Sequence, residues 1–249
     1  MSCFLELKDV SKSYKIEKDE LSVLNDININ VCKGELLTIV GPSGCGKSTL
    51  LALLAGFLEP DTGNIIKDGQ SLTGPDVDRI MIFQNFEQLF PWKTVLANVV
   101  FPLKAKKIGD SMRERIDIAQ KCLRKVQLEE FINYYPHQLS GGMKQRVALA
   151  RALVATPEIL LMDEPFGSLD SQTRDLLQDM LLKIWQEQDI TIVFVTHDIR
   201  EAIVLSDRII VIDKETGSIK KIINNKLTRP RNRLGEEFSN LYQQIYELL

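Results

Sequence analysis

The sequence predicts an α/β fold built on a parallel sheet, and three short apolar segments carry that prediction. Residues 36–40 (LLTIV) lead into a glycine-rich loop, and the apolar run 48–57 that follows the loop has the length of a short helix. Two further runs, 159–162 (ILLM) and 191–196 (TIVFVT), are also largely apolar. Runs of this kind are typical of strands buried on both faces, as in parallel sheets that are covered by helices.

Composition places the chain among ordinary soluble proteins. It has 249 residues, of which 44% are hydrophobic and 26% charged, enough to bury a full core. The net charge of −3 gives no basic character, so we expect no nucleic-acid partner. The four cysteines form no CxxC pair, which argues against a zinc site or disulfide framework and fits a reducing cytosol.

Membrane insertion is not expected from the sequence. The first ten residues, MSCFLELKDV, lack the apolar centre of a signal peptide. The longest apolar run, 50–58, is about half of the roughly 18 residues that a membrane helix needs. If the protein works at a membrane, we therefore expect it to do so through a partner.

The glycine-rich loop has the pattern G-x-x-x-x-G-K-[ST] between a predicted strand and a predicted helix, as a phosphate-binding loop requires. Glycines let backbone N–H groups turn toward phosphate oxygens, and the helix N-terminus adds the positive end of its dipole. Lys47 would reach the β- and γ-phosphates, and the Ser48 hydroxyl would bind Mg²⁺. The predicted nucleotide-binding residues here are Gly41, Pro42, Ser43, Gly44, Cys45, Gly46, Lys47, Ser48 and Thr49.

Polar side chains follow the other two predicted strands. Asp163 and Glu164 come directly after the strand at 159–162, at the end where open α/β sheets bind ligands. We expect Asp163 to hold Mg²⁺ through water, and Glu164 to accept a proton from the attacking water. His197 follows the strand 191–196 and would emerge at the same edge, where it would hydrogen-bond a γ-phosphate. Together with the loop, these residues predict a nucleotide hydrolase.

A second anion site is predicted at residues 140–142. The sequence LSGGMKQR is followed by VALARAL, and its apolar residues from Met143 onward have helical spacing. Ser140, Gly141 and Gly142 would therefore lie at a helix N-terminus, where a hydroxyl and bare N–H groups can bind phosphate. Two explanations remain open: the chain binds two nucleotides, or this site completes the first site of a neighbouring copy.

The motif LSGGMKQR resembles the signature motif of ATP-binding cassette ATPases, and the other motifs follow in that family's order over about residues 4–220. Tyr14 resembles the aromatic residue that stacks on adenine. Gln84 resembles the glutamine that links Mg²⁺ and water to the coupling surface. Residues 167–170 (GSLD) resemble the loop that touches the opposite monomer's site. Met143 departs from the family, which most often has glutamine there.

The resemblance implies a P-loop NTPase core with an N-terminal antiparallel β subdomain and an inserted α-helical subdomain at about residues 85–150. The ATPase domain would span 1–225, and 226–249 would form a linker and a C-terminal amphipathic helix. ATP and Mg²⁺ are the implied cofactors. A head-to-tail homodimer is implied as well, in which ATP on Lys47 of one chain is closed over by Ser140 and Gly142 of the other.

An aromatic cluster stands in the inserted region, consisting of Phe86, Leu89, Phe90, Pro91 and Trp92. One interpretation is core packing of the helical lobe. The other is a groove that receives a helix from a membrane subunit. The segment LFPWKTVLANV resembles import ATPases of the nitrate, sulfonate and taurine group.

The resulting hypothesis is an ATP-binding and ATP-hydrolysing importer subunit, peripheral on the cytoplasmic face of the cell membrane. It would act as a dimer on a separate integral-membrane permease and, indirectly, with an extracytoplasmic solute-binding protein. The alternative is a soluble cassette ATPase with an assembly or scaffold role, which would be expected to lack the coupling groove.

Overall fold

The computed structural model describes residues 3–16, 19–84 and 88–249. Their contacts separate two units. Unit 1 comprises residues 1–76, 161–163 and 189–249, and unit 2 comprises residues 77–160 and 164–188. Phe86 of the aromatic cluster lies outside the described residues.

The described residues form ten strands and seven α-helices. The strands are β1 (Cys3–Ile16), β2 (Asp19–Cys32), β3 (Leu36–Val40), β4 (Thr62–Lys67), β5 (Gln70–Ser71), β6 (Arg79–Ile82), β7 (Ile159–Asp163), β8 (Thr191–Thr196), β9 (Arg208–Ile212) and β10 (Ile219–Asn224). The helices are α1 (Lys47–Ala55), α2 (Val95–Ala105), α3 (Met112–Lys125), α4 (Gly141–Leu153), α5 (Ser171–Glu187), α6 (Ile199–Leu205) and α7 (Glu236–Tyr246).

Unit 1 contains two sheets. The first is antiparallel, with strand order β2-β1-β4-β5, which confirms the predicted N-terminal β subdomain. The second has the order β10-β9-β3-β8 and continues into the last three residues of β7. Strand β3 is parallel to both β8 and β9, and all of its side chains are buried, as the apolar run LLTIV predicts.

The last strand of the chain was not recognised in the sequence. The apolar pattern of the sequence predicts the last strand at residues 208–212, but in the structure β10 follows it and pairs with β9 in antiparallel orientation. The sequence of β10 is IKKIIN, in which only Ile223 is buried. Because an edge strand with two adjacent lysines has neither a continuous apolar run nor clean alternation, its pattern is too weak to predict.

Unit 2 contains the four helices α2 to α5, with α2 packed against α3 and α4. The side chains of Thr94 and Ser111 cap the N-termini of α2 and α3. The sequence has a helical pattern at residues 111–126, and α3 begins at Met112 because Ser111 is its N-cap. Strand β6 and the first two residues of β7 also belong to this unit.

The C-terminal segment of unit 1 docks on α6. The guanidinium of Arg231 donates to the carbonyl oxygens of Ile203 and Val204 at 2.6 and 3.0 Å, near the C-terminal end of that helix. Burial lowers the pKa of Arg231 to about 10. Helix α7 then buries Phe238 and Ile245, which are seven residues apart and therefore lie on one face. The hydrogen bonds from Arg231 satisfy carbonyl groups that the end of α6 leaves without intrahelical partners.

Candidate nucleotide-binding and hydrolysis site

Backbone geometry at the phosphate loop requires glycine. Gly44 and Gly46 have φ angles of 82° and 98°, in the region that disfavours other residues. A Cβ atom on Gly46 would lie 2.7 Å from Leu24 Cδ2 and 2.9 Å from the carbonyl oxygen of Val23. A Cβ on Gly44 would meet no such atom within 4 Å, so this side of the loop is open to a ligand.

Lys47 is the buried cation of this loop. Its side chain is 5% exposed, and Nζ donates to the carbonyl oxygens of Gly41 and Pro42 at 2.7 and 3.0 Å. Burial raises the pKa of the adjacent Cys45 thiol, although the positive charge of Lys47 partly opposes that rise. The centre of the loop therefore holds the Lys47 ammonium group and a protonated Cys45 thiol, not a thiolate.

The start of α1 is suited to an anion. Helix α1 begins at Lys47, and Ser48 in its first turn is exposed. Among the residues that the structure describes, no side chain caps this helix N-terminus. Its first N–H groups have no intrahelical acceptors, so they are available to phosphate oxygens.

Strand register brings the phosphate loop and His197 to one edge of the sheet. Val40 is paired with Thr196 in the parallel β3–β8 ladder, so Gly41 and His197 are the next residues on adjacent strands. Asp163 ends β7, the other neighbour of β8, and its side chain is half-buried. The phosphate loop, the carboxylate and the imidazole therefore follow the carboxyl ends of neighbouring strands, which is where open α/β sheets bind ligands.

Hydrogen bonds of a buried threonine hydroxyl hold the loop that carries His197. The buried Thr196 hydroxyl donates to Glu201 Oε2 at 2.6 Å and accepts a hydrogen bond from the backbone N–H of Asp198 at 3.0 Å. These bonds hold the turn on both sides of His197, whose side chain is exposed. The backbone that carries the imidazole is therefore held in one conformation by these hydrogen bonds.

Tyr14 of β1 lies beside the phosphate loop. Its hydroxyl is 3.4 Å from Thr49 Oγ1, and its side chain is 37% exposed. An accessible aromatic face next to the loop provides a stacking surface for a nucleotide base.

In unit 2, Glu164 has an unusual backbone conformation. Its φ angle is 43°, and its carbonyl oxygen accepts a hydrogen bond from Gly167 at 3.2 Å. The following Pro165 and Phe166 are buried and anchor this turn. A left-handed conformation at a non-glycine residue costs free energy, and such residues cluster at functional sites.

Gln84 lies two residues after the end of β6 and is exposed.

The signature residues form the N-terminus of α4, as the sequence predicts. Ser140 is the N-cap, and its Oγ accepts a hydrogen bond from the backbone N–H of Met143 at 3.3 Å. Because the donor is a backbone group, the methionine at position 143 makes the same capping bond that glutamine would make. Ser140 is exposed, so its hydroxyl remains accessible to a ligand.

Gly142 is required by packing between α4 and α5. A Cβ atom at this position would lie 2.4 Å from Thr173 Cγ2. We expect Gly142→Ala to lower the free energy of unfolding by about 1–3 kcal/mol, since Thr173 is β-branched and has little rotamer freedom. Denaturant unfolding measures this cost. The double variant Gly142→Ala/Thr173→Ser lacks the clashing methyl group and should regain most of the loss; no recovery would contradict the packing explanation.

The aromatic cluster has a buried part and an exposed part. Leu89 is 2% exposed, and Phe90 packs edge-on against Phe101 with ring centroids 4.8 Å apart. The guanidinium of Arg151 lies 4.4 Å from the centre of the Phe90 ring. Trp92, in contrast, is 70% exposed. Core packing therefore explains Leu89 and Phe90 but not Trp92.

Sequence reasoning missed the residue that holds this cluster in place. Asn98 of α2 is fully buried; its Oδ1 accepts from the N–H of Phe90 at 2.9 Å, and its Nδ2 donates to the carbonyl oxygens of Phe90 and Lys93. These bonds fix both ends of the segment that presents Trp92. A single asparagine in a helical pattern gives no sequence signal of such a role.

The residues present fit ATP with Mg²⁺. The loop supplies a buried ammonium group, open glycine backbone and an uncapped helix N-terminus, which suit a polyphosphate. The Ser48 hydroxyl and the Asp163 carboxylate are oxygen ligands, which Mg²⁺ prefers. Both belong to unit 1, with the loop.

Comparisons with known proteins show the family of this chain. A family model described as ABC transporter matches residues 24–167. The chain is 47% identical to an uncharacterised ABC transporter ATP-binding protein of Methanocaldococcus jannaschii, over 100% of this chain and 92% of that protein. It is 43% identical to an aliphatic sulfonates import ATP-binding protein of Bacillus cereus, over 98% and 94% of the two chains.

It is also 44% identical to a nitrate import ATP-binding protein of Synechocystis, over 92% of this chain and 86% of that protein. Among solved structures, a dimeric post-hydrolysis ATP-binding cassette bound to ADP and Pi has a TM-score of 0.80 and 37% identity. That likeness covers 90% of this chain and all of the other. Within the described residues, no helix has the length and apolarity needed to cross a bilayer. The chain belongs to the ABC transporter family, and it is an ATPase that uses ATP with Mg²⁺.

Proposed function

We propose that this chain is the ATP-hydrolysing subunit of an importer, in which two copies drive a separate membrane permease. The observation that carries the proposal is that one chain has two separate helix N-termini suited to phosphate: α1 beside the buried Lys47, and α4 beside the exposed Ser140. A second copy of the chain gives each site a use, because each signature helix can complete the partner's phosphate loop.

The residues that bind ATP and Mg²⁺ have separate roles in this proposal. Lys47 exchanges its bonds to the loop carbonyls for the β- and γ-phosphates, and Tyr14 stacks on the adenine. Ser48, Asp163 and Gln84 would hold Mg²⁺, which would supply positive charge to neutralise the phosphates. The backbone of residues 41–49 surrounds the phosphates.

Hydrolysis follows from the residues at the ends of β7 and β8. Glu164 accepts a proton from the attacking water, whose oxygen forms a bond to the γ-phosphorus as the bond to the bridging oxygen of ADP breaks. His197 hydrogen-bonds the γ-phosphate and steadies its developing charge. Hydrogen bonds within each turn order the backbone at Glu164 and the backbone next to His197.

The signature residues act on the other copy's nucleotide. Ser140 presents its hydroxyl, and Gly141 and Gly142 present backbone N–H groups, to a γ-phosphate bound at the partner's Lys47 loop. Hydrolysis removes the phosphoryl group that both copies hold, so the pair can open. The likeness to a dimeric cassette bound to ADP and Pi supports this arrangement.

A surface on unit 2 suits attachment to a permease. A cavity of about 150 Å³ has Lys104 and Lys93, the residue after Trp92, in its lining; its apolar lining residues are Leu96, Ala97, Val100, Phe101, Met112 and Ile116. Exposed aromatic residues are enriched in protein–protein interfaces.

Import, rather than another use of ATP, is supported by the relatives. Two of them are named for import of aliphatic sulfonates and of nitrate. We propose that the solute here is likewise small, such as a sulfonate, taurine or nitrate, delivered to the permease by an extracytoplasmic binding protein. The chain would then lie peripherally on the cytoplasmic face of the cell membrane.

Replacing Trp92 with Ala is expected to weaken attachment to the permease while leaving ATP binding unchanged. An exposed tryptophan at an interface typically contributes 2 kcal/mol or more, so affinity should fall about 30-fold. The measurement is recovery of the permease with the tagged chain from membranes in mild detergent. Tyr246→Ala, a similarly exposed aromatic on α7, is the matched control. Equal recovery with Trp92→Ala would remove the coupling role from this surface.

The same experiment on the wild-type chain separates the two candidate functions. Recovery of a multi-span membrane protein, with or without an extracytoplasmic binding protein, supports the importer and points to its solute. Recovery of soluble partners alone would instead favour the assembly ATPase. The exposure of Trp92 is the observation that makes us prefer the importer.

A further inference from the structure

Unit 2 contains a larger cavity that the ATPase site and the Trp92 surface do not use. Its volume is about 530 Å³, within the range of small-molecule sites. It lies among α3, α4 and α5. The lining residues are Arg124, Lys125, Gln127, Arg146, Thr173, Leu176, Leu177, Asp179, Met180, Lys183, Ile184 and Glu187.

One wall of the cavity is an apolar face of α5. Leu176, Met180 and Ile184 recur at intervals of four residues, so they follow one another along the helix. Leu177 and Ile184 are buried, whereas Leu176 is 69% exposed. An exposed leucine at the mouth of a cavity adds apolar surface that a ligand could cover.

The charged part of the lining is mainly cationic. It contains four basic side chains and two carboxylates, and one carboxylate, Glu187, is already paired with Lys125 at 3.7 Å. Within the described part of the chain, the side chains of Arg124, Arg146 and Lys183 have no hydrogen bond or ion pair.

Arg146 is the most informative of these cations. It lies in the middle of α4, so the negative end of a helix dipole does not account for its position, as it does for Arg124 in the last turn of α3. Its side chain is half-buried, and that burial lowers its pKa. A guanidinium that is partly removed from water and lacks a partner is stabilised when an anion binds to it.

We propose that this cavity is a binding site for a small organic anion, whose acidic group pairs with Arg146 and Lys183 and whose apolar part lies along α5. The site is independent of the identity of the transported solute. It adjoins the signature helix, since Arg146 is six residues after Ser140 on the same element.

Calorimetric titration of the full chain with octane-1-sulfonate tests the proposal, with octan-1-ol and inorganic sulfate as matched probes. The sulfonate should bind saturably and at least about 10-fold more tightly than either probe, because only the sulfonate engages both the cations and the apolar wall. Sulfonate binding no tighter than that of the alcohol, or none at millimolar concentration, would overturn the proposal.

Variants locate the site. Arg146→Gln/Lys183→Gln should weaken sulfonate binding about 10-fold or more, whereas the control pair Arg113→Gln/Lys121→Gln removes two exposed cations of α3 and should not. Leu176→Glu adds a carboxylate at an exposed position, so the fold tolerates it, and it should weaken binding as well. Equal effects in the control pair, or undiminished binding in both cavity variants, would place the sulfonate elsewhere and exclude this site.

Discussion

Replacing Glu164 with Gln is expected to reduce ATP turnover by about 10²–10⁴-fold while leaving ATP binding intact. The amide has nearly the same shape as the carboxylate, but it cannot accept the proton of the attacking water. The backbone at this position has φ 43°, and glutamine bears the same strain there as glutamate, so the turn to Gly167 should survive. Only the proton acceptor is lost.

Phosphate release under saturating ATP measures the turnover, and titration with a fluorescent ATP analogue measures the binding. Glu215→Gln is the control, because that glutamate is exposed and far along the chain from the site. Near-normal turnover in the Glu164 variant would remove this residue from the mechanism, and would leave His197 or a water-mediated path as the proton acceptor to be tested next.

Replacing Lys47 with Ala should reduce both nucleotide affinity and turnover, each by about 10²-fold or more. The ammonium group is the buried cation of the loop, and charge-assisted hydrogen bonds to phosphate contribute roughly 1.5–3 kcal/mol each. The variant also leaves the carbonyl oxygens of Gly41 and Pro42 without this donor. The loop should therefore lose order as well as charge.

The same binding and phosphate-release assays measure this variant, with thermal unfolding to verify that it is folded. Lys33→Ala is a suitable control, since Lys33 belongs to the same unit and its side chain is 57% exposed in a long ion pair with Asp189. A folded Lys47 variant that binds ATP normally would show that the phosphates are held by other groups.

The sequence predicts the centre of unit 1 well because its signals are local. A buried parallel strand such as β3 or β8 needs a continuous apolar run, and both runs match the observed strands residue for residue. The glycine loop and the signature are likewise contiguous, so the positions of Lys47 and Ser140 at helix N-termini follow directly from the residues.

Other features depend on contacts between residues distant in sequence. Asn98 orders the loop of Trp92 through backbone carbonyls, and Arg231 binds carbonyls of α6 that are 27 and 28 residues earlier. Every residue has a backbone carbonyl group, so the pattern of side chains cannot predict which carbonyl accepts such a hydrogen bond. The edge strand β10 was missed for a related reason, because its lysines face water.

The most direct test of the account is the mass of the Glu164→Gln variant in solution, measured by light scattering. The central claim is that a second copy completes each ATP site. With Mg²⁺ and ATP the variant should have the mass of two chains, since the nucleotide cannot be hydrolysed, and with ADP it should have the mass of one. Adding Ser140→Arg, which places a bulky cation at the α4 N-terminus, should abolish the dimer. A single-chain mass at saturating ATP would contradict the shared site.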